Sequence, residues 1–211
     1  MAKASERLEA DAPIDAAPAH PWVSRSGVKL AHALAFWPIE VAGKAVLDIG
    51  ASTGGFTEVC LSRGAARVYA VDVGSGQLHP RISADPRVVS LEGFDARDLS
   101  PAEVPQAPVL VVCDASFIGL AKVLPAALAL AEPGADLVCL VKPQFEVGPG
   151  KVGKGGVVRD AAARESALAA ACAWLEEQGW PHRETAESPI AGADGNIEFL
   201  VWARKRPPGG D

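Results

Sequence analysis

The chain has 211 residues, with 20 Lys and Arg against 26 Asp and Glu, a formal net charge of −6. That length fits one α/β domain, since a single core keeps growing to roughly 250–300 residues. With 49% hydrophobic and 22% charged residues, it is not a wholly disordered chain, it has neither a Gly-X-Y period nor sustained heptads, and no apolar run reaches the roughly 18 residues of a membrane span.

The opening MAKASERLEADAPIDAAPAH lacks an apolar segment and does not read as a secretory signal. Residues 1–21, rich in Ala, Pro and Asp, read as a tail, residues 22–205 as the compact unit, and residues 206–211 as a mobile end. SGVKLAHAL predicts a first helix. Ala45–Ile49 is a buried strand, followed by the Gly-rich Gly50–Gly55 and a helix through Leu61–Arg63 that Gly64 ends. Arg67–Val71 is the next strand and stops at Asp72; Arg87–Ser90 is weaker; Val109–Cys113 is strong and stops at Asp114. Leu120–Ala131 is predicted as one helix ending at Pro133-Gly134, and Asp136–Val141 as a strand ending at Lys142. Asp160 is a good N-cap for a helix to about Gln178, with Leu168, Cys172 and Leu175 on its core face. Arg183–Glu187 and Ile197–Arg204 finish the chain as strands, read as an antiparallel pair at the sheet edge.

Cys60, Cys113, Cys139 and Cys172 show no C-x-x-C spacing, and three lie in apolar runs. They are expected to be buried, reduced thiols of a cytoplasmic protein, with no metal site. Net acidity argues against a globally basic nucleic-acid binder but leaves room for a local basic groove.

Repeated strand–helix units imply a mostly parallel, Rossmann-like sheet with helices on both faces. Ligands bind such sheets beyond the carboxyl ends of the strands. Asp48, Gly50, Asp72, Asp114 and Lys142 all fall there, so four strands aim polar residues at one crevice.

Val46–Thr57, VLDIGASTGGFT, lets the backbone turn sharply from strand to helix. It is not G-x-G-x-x-G, and an acid directly before its first Gly would repel a pyrophosphate. S-adenosylmethionine, with a sulfonium and an ammonium, suits it; the plain alternative is an ordinary Gly-rich turn. Asp72, beside Val73 and about 20 residues past the loop, is placed for two ribose hydroxyls. Asp95, in GFDARDL, is a candidate for an adenine amino group.

Lys29, Asp114, Lys142 and Glu198 form a further set. Asp114 and Lys142 each end a very apolar strand, where a charge is costly without a partner. Glu198 interrupts the apolar NIEFLVW. Two lysines near a cationic cofactor repel, so one is expected to lose its proton more readily and to serve as a base toward a hydroxyl. Two unrelated surface ion pairs are the plain alternative. The loop Lys142–Arg159 carries Lys151, Lys154 and Arg159 against Glu146, and its Phe145 is a candidate for base stacking. His20, His32, His79 and His182 sit in no catalytic motif.

Together WVSRSGVKL, LDIGASTGGFT, VYAVDVG, VVCDASFI, LVKPQFE, VGKGGVVRD and ESPIAGADGNIEFL resemble the TlyA (hemolysin A-like) family of ribosomal RNA methyltransferases, which belongs to the FtsJ-like 2′-O-methyltransferases. The resemblance covers roughly Trp22 to Lys205. It implies S-adenosylmethionine-dependent 2′-O-methylation of a cytidine ribose in ribosomal RNA. It further implies a Lys-Asp-Lys-Glu tetrad at Lys29, Asp114, Lys142 and Glu198, with Lys142 as base. Donor contacts would fall on Asp48, Gly50, Ser52, Gly54, Gly55, Phe56, Asp72, Val73 and Asp95, and RNA contacts on Arg25, Lys151, Lys154 and Arg159. AKASERLEADAPI looks similar to the last stretch of the family's S4 RNA-binding domain. The family's S-R-G-G is S-R-S-G here, and Ser26 is expected to alter the start of the Lys29 helix. Two rival readings are a donor-binding regulatory protein without activity and a pore-forming hemolysin. The chain lacks a segment suited to membrane insertion, which disfavours the second.

Overall fold

The computed structural model describes residues 20–148, 150, 152–192, 194–207 and 209. Most of the expected N-terminal tail and part of the expected C-terminal end lie outside the described residues. Seven strands form one sheet: β1 (Ala45–Ile49), β2 (Arg67–Asp72), β3 (Val88–Glu92), β4 (Leu110–Cys113), β5 (Asp136–Val141), β6 (His182–Glu187) and β7 (Phe199–Arg204). The helices are α1 (Ser26–Phe36), α2 (Gly55–Ser62), α3 (Pro80–Ser83), α4 (Leu120–Val123), α5 (Pro125–Leu130), α6 (Pro143–Glu146) and α7 (Ala161–Glu177).

The strand order is β3-β2-β1-β4-β5-β7-β6. Strands β1 to β5 are parallel, whereas β7 runs antiparallel between β5 and β6. The order reverses between β1 and β4, so a crevice opens where their exits diverge. Every residue of β1, β4 and β5 is buried, as central parallel strands covered on both faces require.

Side chains alternate between the two faces. Val46, Val112, Leu140 and Leu200 pack under α1 and α2 with Leu30, Trp37 and Phe56. Leu47, Val111, Cys139 and Val201 pack on the opposite face with Leu124, Leu175 and Trp180. Each large apolar side chain so buried stabilises the fold by roughly 1.5–3 kcal/mol. Asp136, buried at the start of β5, accepts from Trp202 Nε1 at 2.9 Å and from Arg204 Nε at 2.8 Å, which fixes the antiparallel register of β7. The four cysteines are buried; burial pushes the Cys113 thiol up to about 12, so it is not a nucleophile.

The predicted Leu120–Ala131 helix is instead α4 and α5, broken at Leu124 because Pro125 has no N–H to continue the ladder. Lys142-Pro143 ends β5 as expected, but Pro143 also starts α6, its fixed φ suiting a first helical position. The last strand begins at Phe199, one residue after Glu198. Ser26 is the first residue of α1 and adopts no positive φ. Among the described residues no helix is long and apolar enough to cross a membrane.

Candidate active site

The exit of β1 turns through Gly50, at φ +78°, a value that an L side chain rarely adopts. A Cβ on Gly50 would also meet the Ala115 backbone, so the glycine is required twice over. Ser52 follows at φ +47°, held by its N–H donating to Asp72 Oδ2 at 2.8 Å. Gly74 N–H donates to Asp72 Oδ1, also at 2.8 Å. Each oxygen keeps a second lone pair, and Asp72 lines a cleft of about 600 Å³ together with Gly50, Ser52, Val73, Phe94, Asp95 and Phe117.

Gln77 completes this wall, accepting from Ser52 Oγ at 3.2 Å. Sequence reasoning missed it, because an amide in a Gly-rich turn carries no signal before the loop is seen to fold back. Asp95 caps a 3₁₀ turn (Ala96–Asp98), accepting from Arg97 N–H, and also binds the Arg97 guanidinium. Those hydrogen bonds hold its carboxyl at about 2, so it stays ionised.

The remaining loop candidates stand behind the wall. Asp48 is fully buried; Thr57 Oγ1 donates to its Oδ2 at 2.6 Å, and its Oδ1 has no partner. Burial pushes its pKa up to about 7, helped by the Asp114 and Asp72 carboxylates. Gly54, at φ +97°, lets the chain pass beneath Leu78, and Gly55 lies so close to Ser24 and Ser26 that no Cβ fits. Phe56 is core. These four residues would support a ligand through the loop rather than touch it.

All four tetrad candidates meet in an adjoining cleft of about 520 Å³. Lys29 and Glu198 are 5% and 3% exposed, and Nζ donates to Glu198 Oε2 at 2.5 Å. Lys142, 6% exposed, donates to the Asp114 carbonyl at 2.9 Å and to Ser116 Oγ at 2.7 Å. Asp114 Oδ1 lies 2.7 Å from Nζ, an ionic contact without hydrogen-bond alignment. Each lysine therefore has its own carboxylate, Lys29 with Glu198 and Lys142 with Asp114. A buried ion pair of this kind contributes little net stability, so its value lies in placing charge.

Glu198 and its surroundings are positioned by residues the sequence did not single out. A Cβ on Gly192 would stand 2.5 Å from Glu198 Oε1. Asn196, 1% exposed, donates from Nδ2 to Gly156 O and accepts from Val158 N–H, both at 3.0 Å. It thereby ties the Gly-rich loop to the segment that carries Glu198. Phe117 was missed too. It is 91% exposed at φ +66°, with its ring centroid 5.3 Å from that of Phe145. A bulky residue held at positive φ and left in water points to a function; in the sequence it passes for one more core aromatic. Of the candidate RNA contacts, Arg25 lines the cleft and donates to the Ala191 carbonyl, Lys154 and Arg159 are exposed, and Lys151 lies outside the described residues.

Gly50, Ser52, Asp114, Ser116 and Phe117 line both clefts, so the two spaces share a wall. The first offers a carboxylate pair of lone pairs for a diol, apolar sides from Phe94 and Ile118, and a loop with no room for a side chain at Gly50. That combination fits an adenosine-bearing cation such as S-adenosylmethionine. The second offers Lys142 in its lining, the exposed Phe117 beside the half-buried Phe145, and Arg25 at its wall.

The FtsJ-like methyltransferase family model matches residues 22–205. The chain is 52% identical over 183 residues to the 16S/23S rRNA (cytidine-2′-O)-methyltransferase TlyA of Mycobacterium tuberculosis, a match covering 87% of this chain and 68% of that one. It is 43% identical over 181 residues to the Hemolysin A of Brachyspira hyodysenteriae, covering 85% and 75%. A solved structure from Lactococcus lactis, described as a hemolysin, superposes with a TM-score of 0.84 at 40% identity over 87% of this chain and 88% of that one. The chain belongs to the FtsJ-like methyltransferase family.

Proposed function

We propose that this chain methylates the ribose 2′-hydroxyl of a cytidine in ribosomal RNA, within a catalytic unit spanning residues 22–205. The observation that supports this reading is the shared wall: the cleft that suits the donor is bounded by Asp114 and Ser116, which also line the cleft that holds Lys142. S-adenosylmethionine, when bound, supplies an electrophilic methyl group and leaves as a neutral thioether.

The residues of the chain do the rest. Asp72 accepts from the donor's ribose hydroxyls, and Ser52 and Gly74 N–H groups keep its oxygens aimed. Asp95 and the apolar residues around it border the adenine. Phe117 and Phe145 present ring faces to a base lying in the second cleft; such stacking is worth roughly 1–3 kcal/mol and tolerates any base, so selection of cytidine rests elsewhere. Arg25, Lys154 and Arg159 neutralise RNA phosphates, a contribution that weakens with salt. Lys142 takes the acceptor's proton, Asp114 stabilises the ammonium that results, and Lys29 with Glu198 positions the nucleotide. The negative overall charge of the chain is compatible with this, because Arg25 lines the second cleft and Lys154 and Arg159 are exposed on the loop that contributes Val152 and Gly156 to it.

The reading is tested by incubating the protein with small and large ribosomal subunits and isotopically labelled donor, then mapping 2′-O-methyl positions. Label on a cytidine 2′-oxygen is the expected result. No label in either subunit, or label on a base, overturns the reading.

A further inference from the structure

Lys142 Nζ is surrounded by three oxygens, and they are not equivalent. Two belong to Asp114, its backbone carbonyl at 2.9 Å and its Oδ1 at 2.7 Å. Both are acceptors only. The Asp114 backbone is anchored, its N–H donating to Ile49 O at 3.0 Å, so these two oxygens are fixed to the ends of the sheet. The third is Ser116 Oγ, at 2.7 Å. Ser116 is exposed, lies in irregular chain between β4 and α4, and lines both clefts.

A hydroxyl is the only one of the three that both accepts and donates. While Nζ is an ammonium, Ser116 accepts from it. Once Nζ is an amine with a lone pair, neither Asp114 oxygen can donate to that lone pair, but Ser116 O–H can. Lys142 itself is almost wholly buried, whereas Ser116 opens to the space where the acceptor and donor sides meet. Lys142 also lines the second cleft, so a proton could reach Nζ directly, but of the three oxygens around Nζ only this hydroxyl can both take a proton from that space and pass one on.

We propose that Ser116 is a catalytic proton relay between the acceptor hydroxyl and Lys142. This rests on the 2′-O-methyl transfer proposed above and adds a residue to it. The acceptor's O–H proton moves to Ser116 Oγ, while the proton already on Ser116 moves to the lone pair of Nζ. Ser116 ends as it began, Nζ ends as an ammonium beside Asp114, and the acceptor oxygen forms its bond to the methyl carbon as the carbon–sulfur bond breaks and the thioether leaves. Two protons are in flight, and no further reactant is needed.

The test compares wild type with Ser116→Ala and Ser116→Thr in single-turnover methylation of the ribosomal subunit that accepts label. Ser116→Ala is expected to slow the step by about 100-fold, with donor affinity by calorimetry and the melting temperature close to wild type. Ser116→Thr, which keeps a hydroxyl, is expected to recover most of the loss. In mixtures of light and heavy water, the wild-type rate is expected to follow a bowed proton inventory, and that of Ser116→Ala a straight one. A Ser116→Ala rate within about threefold of wild type, a Ser116→Thr loss equal to that of Ser116→Ala, or a straight wild-type inventory overturns the relay. Failure of wild type to label either subunit would instead remove the underlying 2′-O-methyl reading.

Discussion

A Cβ placed on Gly50 would lie 2.8 Å from the Cα of Ala115. The backbones leaving β1 and β4 are thus in contact at the point where the sheet order reverses, and that contact forms the floor common to both clefts. Gly50→Ala therefore adds a backbone clash to an unfavourable positive φ. It is expected to cost about 2 kcal/mol of stability or more and to remove donor binding. Chemical denaturation and calorimetry with S-adenosylmethionine read the two effects; wild-type affinity in the variant would show that the floor does not touch the donor.

Lys142→Ala is expected to reduce methyl transfer by about 100-fold or more and to leave donor affinity nearly intact, since Lys142 lines only the second cleft. Equal rates for the two proteins would take Lys142 out of the chemistry.

Asp72 makes its contacts through both oxygens. Asp72→Ala should weaken S-adenosylmethionine binding by about tenfold or more, the range expected on losing hydrogen bonds to a charged group. Unchanged affinity would refute its ribose role.

The buried Asp48 gives the folded protein a pH dependence of definite sign. Its pKa rises from 3.8 to about 7 on folding, chiefly through burial. Between those values the native state holds a proton that the unfolded chain has released, so stability is highest below the lower value and falls as pH rises toward the upper one. Asp48→Asn removes this component. Wild type minus variant, measured by denaturant melts at pH 5 and pH 8, should decline by on the order of a few kcal/mol; a difference independent of pH would count against a protonated Asp48.

Asn196→Ala leaves Gly156 O and Val158 N–H without their partner. Losing two such bonds at a buried position is expected to cost about 1–3 kcal/mol and to raise KM for ribosomal subunits more than it lowers donor affinity, because the freed loop borders the second cleft. An equal effect on both ligands would mean that the clamp serves the fold as a whole.

Much of this architecture was legible in the residues. Apolar runs ending in Asp72, Asp114 and Lys142 pointed to both the parallel sheet and the side of it where the two clefts open, because a charge at the end of a buried strand has few other places to go. The tetrad candidates lie 169 and 28 positions apart within their pairs, yet each pair closes. What local pattern could not supply was the pairing itself. Nothing in the spacing says that Lys29 takes Glu198 while Lys142 takes Asp114, since that depends on β7 threading between β5 and β6. Nor does it separate residues that face a cleft, such as Asp72, from those one layer behind, such as Asp48 and Phe56. Phe117, Gln77, Ser116 and Asn196 were invisible for a related reason: each is an ordinary residue in irregular chain, given its part by a fold-back that propensity does not encode.

The Lys29–Glu198 bridge joins the first helix to the segment leading into the last strand. During synthesis the lysine waits, without its carboxylate, until the residue 169 positions later has been made. An incomplete product that stops short of residue 198 has lost this half of the tetrad however well its first strands pair. Assembly of this pair thus requires translation to reach the segment before β7, and products that stop earlier lack it.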